Sequence, residues 1–541
     1  MAESQVDHIE IGRERGRARG LLLWGLVFFF GMISVVAGLT VFILTDRNLY
    51  YQYRLTSSLE LIQHFYPEAY NADSLMALAR EAVFQTLDRY SGYLDPRELD
   101  QVTEEFSGSY AGIGITIVAH QQGLLVMSVR EDGPAGRVGI STGDIIIRAD
   151  SVSLAGLSAH QSTFLLRGPE GSVVAIDLVR NGMADTLSFT LSREKLKLIH
   201  IPFAGLTEHN ALYIRIIDFE AGLSEELSAV LDSVLMPNRD SVAGIIFDLR
   251  GNPGGLLNEA ITVSNMFLEE GTLIVGIKGR SHWQNVGYKA TGGDITNGLP
   301  LVAIVDRGSA SASEIFSGTL KYAARAVLIG DTTFGKGLVQ EYKGLGDGSG
   351  IRLTTSRYYF EGGIFLNDPA LPLDSAHGIA PDYYMEFVER EDFPRQLENT
   401  GLLREFASKY RDEIVMGPKL STASPPWFAA FVEYARGTDF EYESELTEVA
   451  RLTEEYASLS NASESTLRAI GRIVNLAARE DERQMEAYRD YIVRRLYQIA
   501  VESEYGITRA YRDAIIPYRP DIHLAEKILI DSLHTSTESL P

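Results

Sequence analysis

The chain has 541 residues, 45% of them hydrophobic and 23% charged, a globular balance with room for about three or four domains of roughly 150 residues each. A formal net charge of -24 argues against nucleic-acid binding, which needs a basic patch. With no cysteine, the chain has no disulfide, no thiolate metal site and no cysteine nucleophile.

The N-terminal part carries a membrane signal. Leu21–Thr45 is free of charged residues and long enough, as a helix, to cross a bilayer core. Arg13, Arg15, Arg17 and Arg19 precede it, and positive charge stays on the cytoplasmic side. The expectation is an uncleaved anchor (21–45) behind a cytoplasmic stretch (1–20), with everything after it extracytoplasmic. A signal peptide cut after Ala37 fits less well, because the apolar run exceeds the usual signal-peptide apolar core of about 7–15 residues.

Residues 46–104 read as helices, with Ser74–Leu87 spaced for one apolar face. A turn-rich stretch, Arg89–Pro96, follows. Residues 105–192 read as short strands punctuated by glycine: a strand after Gly112–Ile115, strands at Gly123–Val129, Val173–Arg180 and Asp185–Leu191, and a helix at Ala159–Leu166. This is a small β domain with two helices. Residues 193–388 form the next domain, and the alternation of strand and helix over 210–388 argues for an α/β layer with a partly parallel sheet. Residues 389–541 are helical and charged, with helical spacing over Ala450–Ser458 and Ser463–Tyr497.

Three stretches carry chemistry. In Ile245–Gly255 a strand ends at Asp248 and a glycine-rich turn follows, whose N–H groups suit an oxyanion; alone it reads first as a tight βα turn. In Asp306–Glu314 small residues surround Ser309, Ser311 and Ser313. Any of the three serines could cap the helix that follows, and the stretch alone does not say which one reacts. In Thr333–Gln340 a lysine stands between glycines. A serine hydroxyl needs a base to take its proton, and a desolvated lysine can be that base. The ten histidines are scattered, and there is neither an H-E-x-x-H nor a G-x-S-x-G around Ser311. That leaves a Ser–Lys pair as the favoured chemistry, with no metal and no cofactor.

Taken in order, RYSGYLDP (89–96), GIGI (112–115), GPAGRVGISTGDIII (133–147), LRGPEGS (166–172), FDLRGNPGG (247–255), GSASASE (308–314) and FGKGLVQ (334–340) resemble the C-terminal processing peptidases, or tail-specific proteases. The likeness runs from about Leu87 to Asp382. It implies a PDZ-like β domain and a ClpP/crotonase-like α/β protease core. It also implies a nucleophile at Ser311, a general base at Lys336, and Gln340 supporting the lysine. Gly255 and Ala312 are the candidate oxyanion donors, with Gly254 an alternative to Gly255. Gly112, Ile113, Gly114 and Ile115 become the loop that holds a substrate's C-terminal carboxylate. Asp248 and Arg250 read as scaffolding. Tyr359–Ile364 departs from the small polar residues usual after the lysine, and the last 150 residues or so lie outside the likeness.

The expected activity is a serine endopeptidase that takes exported proteins or peptides by their free C-termini. The alternative is a membrane-tethered PDZ adaptor without catalysis. The C-terminal helices are read as a homo-oligomerisation arm, ahead of a lid or a docking surface.

Overall fold

The computed structural model describes residues 46–538 except 69–70, 107–108, 121, 131, 158, 181–182, 184, 369, 373–374, 376, 418–424, 439 and 461, together with residues 28, 29, 31, 32, 34 and 35. Most of the expected span Leu21–Thr45 thus falls outside the described residues. Among the described residues no helix is long and apolar enough to cross a membrane. The chain divides into two units, Met1–Val83 and Phe84–Pro541.

The first unit contains helix α1 (Arg47–Phe65) and most of α2 (Ala72–Gln85). Asp46 starts α1 by accepting the N–H groups of Asn48 and Leu49 at 2.9 and 3.1 Å, which satisfies two of the donors a helix leaves open at its start.

The second unit begins with β1 (Gly92–Leu94) and α3 (Pro96–Phe106). The β domain follows: β2 (Ser109–Gly112), β3 (Ile115–His120), β4 (Gly123–Val129), β5 (Ile145–Ala149), α4 (Ala159–Leu166), β6 (Val173–Val179), β7 (Leu187–Ser192) and β8 (Glu194–Lys197). Its main sheet runs β3-β4-β5-β6-β7, and β2 pairs with β8 outside it. Period-two alternation places Val174, Ile176 and Leu178 in the domain's core with Leu124, Val126 and Ile146. Strand β3 lies at the sheet's edge, bonded to β4. The domain rests against the C-terminal helices, where His120 Nε2 lies 3.0 Å from Glu405 Oε1.

The α/β core comprises β9 (Phe203–Leu206), β10 (Ala211–Arg215), α5 (Leu223–Val230), β11 (Gly244–Asp248), α6 (Leu257–Asn265), β12 (Leu273–Gly279), β13 (Val286–Lys289), β14 (Leu301–Val305), α7 (Ala312–Tyr322), β15 (Ala326–Gly330), β16 (Leu338–Gly344), β17 (Gly350–Phe360), β18 (Ile364–Phe365) and β19 (Tyr383–Tyr384). The central sheet has the order β9-β10-β11-β14-β15-β19 and is parallel except at its β9 edge. A second sheet runs β1-β17-β12-β13, with β16 and β18 also paired to β17.

Strands β11 and β14 are buried at every residue, so the central sheet has two apolar faces that both need cover. One face, including Leu212, Ile245, Phe247 and Ala303, packs on residues of α5, α6 and α7. The opposite face, including Tyr213, Ile246, Val302 and Ile304, packs on Ile522, Ala525 and Leu529. These last three belong to α13 (Pro520–Glu538), the final helix. The C-terminal segment therefore closes the third layer of the core.

Between the core and α13 lie α8 (Leu402–Lys409), α9 (Pro426–Arg436), α10 (Glu445–Leu459), α11 (Glu464–Asp481) and α12 (Arg489–Tyr505), among other short helices. Phe406, Phe431, Leu496 and neighbours form their own core. The helical spacing over Ser463–Tyr497 is interrupted: α11 ends at Asp481, and a short turn, Gln484–Ala487, precedes α12. At the break Tyr488 stacks on Phe393, with ring centroids 5.3 Å apart, so a long-range contact overrides a continuous local pattern.

Candidate active site

Ser311 is the N-cap of α7 and follows the end of β14 through a short loop. Its φ of 54° lies where residues with a Cβ are disfavoured. Such a backbone costs about 1–3 kcal/mol and persists only where its surroundings impose it. Here they do. Ala310 N–H donates to Asn252 O at 3.0 Å, Ser313 Oγ donates to the same carbonyl at 3.0 Å, and Ser311 N–H donates to Glu314 Oε2 at 2.9 Å. Ser309 is buried, its hydroxyl donating to Leu249 O at 2.8 Å, and the Ser313 hydroxyl is likewise consumed. Of the three serines the sequence offers, Ser309 and Ser313 are structural, and Ser311 is the partly exposed one.

Glu314 is a residue whose role sequence reasoning did not assign. It is fully buried and accepts four hydrogen bonds: from the N–H groups of Ser311, Gly335 and Lys336 at 2.9, 2.6 and 2.8 Å, and from Thr333 Oγ1 at 2.6 Å. Burial pushes its pKa up, against the lowering effect of these donors. Ser311 and Glu314 stand at the S-x-x-E spacing of a capping box, and that is the signal that could have found it. Tyr358 adds a second tie, its hydroxyl donating to Lys336 O at 2.7 Å and to Ser311 O at 3.3 Å.

Lys336 sits on the loop before β16. Its ammonium nitrogen lies 5.2 Å from the centre of the Tyr90 ring and makes no hydrogen bond or ion pair among the described residues. Burial lowers its pKa from the usual lysine value, and the Arg352 charge lowers it further, while Glu314 opposes both. The Tyr90 wall comes from the Arg89–Pro96 stretch, pinned to β17 by Arg352 Nε donating to Tyr90 O at 2.6 Å and by Thr354 N–H donating to Ser91 Oγ at 3.0 Å. Gln340 Nε2 donates to Thr354 Oγ1 at 3.3 Å, and that hydroxyl donates to Asp88 Oδ1 at 2.9 Å. Gln340 is thus engaged with the strand beside the lysine pocket.

The glycine turn approaches Ser311 closely. A methyl group at Gly254 would lie 2.8 Å from Ser311 Cβ and 2.7 Å from Ala312 N, and the residue has φ 101°. Its N–H donates to Asn252 Oδ1 at 2.9 Å. The N–H groups of Gly255, which is exposed, and of Ala312, at the start of α7, have no acceptor among the described residues. Gly255 also bridges to Phe219. Asp248 and Arg250 form a buried pair, and the neighbouring arginines Arg250 and Arg215 hold the Asp248 carboxyl well below its usual range against the cost of burial.

In the β domain, Gly112 ends β2 opposite Glu194, and the Ile113 side chain is in the core. Gly114 has φ 80°, and Ile115 opens β3 opposite Val129. The four residues thus form a bend that enters the edge strand.

A three-layer α/β core with a strained serine at a helix N-terminus, preceded by a β domain whose edge strand β3 is bonded to β4 on one side, fits a PDZ-bearing serine-type peptidase. Sequence comparison makes the assignment specific. The pattern of peptidase family S41 matches residues 210–385, and that of the PDZ domain matches 111–191. The carboxy-terminal-processing protease of Bartonella bacilliformis is 30% identical over 368 residues, spanning 67% of this chain and 82% of its own. The carboxy-terminal processing protease CtpA of Bacillus subtilis is 30% identical over 370 residues, spanning 66% and 78%. Among solved structures, the photosystem II D1 C-terminal processing protease is 26% identical, covering 63% of this chain and 89% of its own, with a TM-score of 0.37. The chain belongs to the carboxy-terminal processing proteases of peptidase family S41.

Proposed function

We propose that this chain is a membrane-anchored endopeptidase in which Ser311 is the nucleophile and Lys336 the general base. The observation that carries the reading is the bridge from the Ser311 backbone to the Lys336 backbone through Glu314, together with the lowered lysine pKa. Neutral Lys336 takes the Ser311 hydroxyl proton as Oγ attacks the scissile carbonyl. The N–H groups of Gly255 and Ala312 receive the oxyanion, each such donor being worth about 3–4 kcal/mol. The lysine then returns the proton to the leaving amine, and an acyl-enzyme remains. Water hydrolyses it with Lys336 again accepting and returning the proton. Gln340 orients the lysine pocket through Thr354.

Substrates enter by their C-termini. An extended peptide adds to the edge of β3, and the N–H groups of the 112–115 bend hold its terminal carboxylate. The uncharged run Leu21–Thr45, with arginines on its N-terminal side, anchors the enzyme and leaves the catalytic part on the extracytoplasmic side, where exported proteins are met.

The test uses the detergent-solubilised full chain, Ser311→Ala and Lys336→Ala, each with an unfolded reporter protein ending in apolar residues. Matching reporters carry a charged tail or a C-terminal amide. Cleavage by the parent alone, fastest for the apolar tail with a free carboxylate, is the expected result. Cleavage by Ser311→Ala would remove the nucleophile assignment. Tail binding without any cleavage would favour the adaptor reading.

A further inference from the structure

The turn that carries Gly254 and Gly255 is held from a part of the chain beyond the S41 match. Arg250 stands at its start. The guanidinium spans two carboxylates, with Nε donating to Asp248 Oδ1 at 2.8 Å and Nη1 lying 2.6 Å from Asp521 Oδ2. Asp521 is in the first turn of α13, and its side chain is 2% exposed. Arg519 supports it, Nε to Oδ1 at 2.9 Å. On the other side Arg215 Nη2 donates to the Arg250 carbonyl at 2.6 Å, and the Tyr213 hydroxyl donates to Asp248 Oδ2 at 2.5 Å.

From Arg250 the coupling passes along the turn backbone to the loop that carries Ser311. Gly251 N–H donates to Asp306 Oδ1 at 2.8 Å, and Asn252 Nδ2 donates to Ile216 O at 3.1 Å. The Asn252 carbonyl accepts the N–H of Ala310, the residue before Ser311, at 3.0 Å. A turn held at its start by the Arg250 side chain and tied to the serine loop through Gly251 and Asn252 is sensitive to both.

We propose that Asp521 is a positioning residue for the Ser311 reaction: through Arg250 it sets the 249–255 turn against the serine loop, which makes the C-terminal helix a working part of the catalytic module. The inference rests on the Ser311 reading above for its kinetic consequence and on geometry alone for the coupling. A buried ion pair often adds little net stability over a packed apolar pair of the same volume, and in some proteins such pairs serve to define geometry; that is the role assigned to Asp521 here. The packing of Ile522, Ala525 and Leu529 already attaches α13 to the sheet without Asp521.

The experiment compares the full chain with Asp521→Asn, Asp521→Glu and Leu529→Ala. Amide hydrogen exchange is followed by mass spectrometry, and kcat and KM are measured well below the melting temperature of each protein. Asp521→Asn is expected to speed exchange in peptides covering 249–256 and 309–313, with the β domain unchanged. It is expected to lower kcat on the order of ten- to a hundredfold with KM within about twofold, the effect of misplacing donors by an ångström or less. Asp521→Glu recovers part of the loss. Leu529→Ala lowers the melting temperature but keeps parental exchange in the turn and parental kcat. Parental exchange in 249–256 for Asp521→Asn overturns the proposal, and so does an equal kcat loss in Leu529→Ala. Should the parent show no Ser311-dependent turnover, the nucleophile reading falls, and the exchange data alone still decide the coupling.

Discussion

The backbone N–H groups of Ser311 and Lys336 donate to the same oxygen, Oε2 of Glu314, at 2.9 and 2.8 Å. One buried carboxylate therefore fixes the separation of two loops that approach from opposite ends of α7 and β15. The proposed nucleophile and base are thus positioned through their backbones, which leaves both side chains available for the proposed reaction.

Replacing that carboxylate tests the arrangement. Glu314→Gln puts an amide NH2 where at least one N–H must find an acceptor. Each lost hydrogen bond to a charged group costs about 1.5–3 kcal/mol. The variant is expected to fold with a lowered melting temperature and to lose most of its kcat, measured by denaturation and by steady-state proteolysis. Parental kcat in a destabilised Glu314→Gln would show that the carboxylate serves folding only.

Ser311 holds a backbone that suits glycine, with φ 54°. Ser311→Gly is therefore expected to abolish proteolysis while raising stability by about 1 kcal/mol, the lower end of the strain such positions store. Ser311→Ala keeps the Cβ and the strain, so it should be inactive without that gain. Chemical denaturation of the two variants gives the comparison.

The lysine predicts a pH profile. A base that must be neutral is active above its pKa, so activity rises with pH through the Lys336 ionisation, at a midpoint below the ordinary lysine value of about 10.4. The Arg352 charge helps lower that midpoint by disfavouring the ammonium. Removing it raises the pKa, so Arg352→Gln should move the rising limb to higher pH and leave kcat at the plateau less affected. A profile that stays in place or moves to lower pH contradicts the assignment.

Gly254 stands where the turn runs too close to the serine loop to admit a side chain. In Gly254→Ala the new methyl would lie 2.6 Å from Ala310 O, with φ 101° adding strain. Proteolysis should fall at least a hundredfold, on the order expected when reacting groups move by about 1 Å. Gly251→Ala is the comparison: its Cβ meets nothing within 4 Å, although its φ of 67° still carries strain. Equal losses in both would mean that backbone strain, and not the approach to Ser311, matters.

Much of this was legible in order along the chain. The continuous apolar runs of β11 and β14 announce strands buried on both faces, and the glycine turn, the serine stretch and the glycine-flanked lysine each stand out by composition. Periodicity reports that a face is apolar and is silent about what covers it. Hence the return of α13 to close the central sheet was not readable, and the C-terminal segment looked like a separate helical region. The break at Tyr488 escaped for the same reason, being imposed by stacking on Phe393.

The sequence by itself determined most of the local conformations and the kinds of residue available for chemistry, because those depend largely on neighbours within a few positions. Only the tertiary structure decided which groups meet. Tyr90 faces Lys336, Glu314 joins the loops of Ser311 and Lys336, and Asp521 reaches Arg250. Such contacts join residues brought near by the path of the whole chain. Their strength comes from burial, which removes the water that would otherwise compete for the same charges and donors.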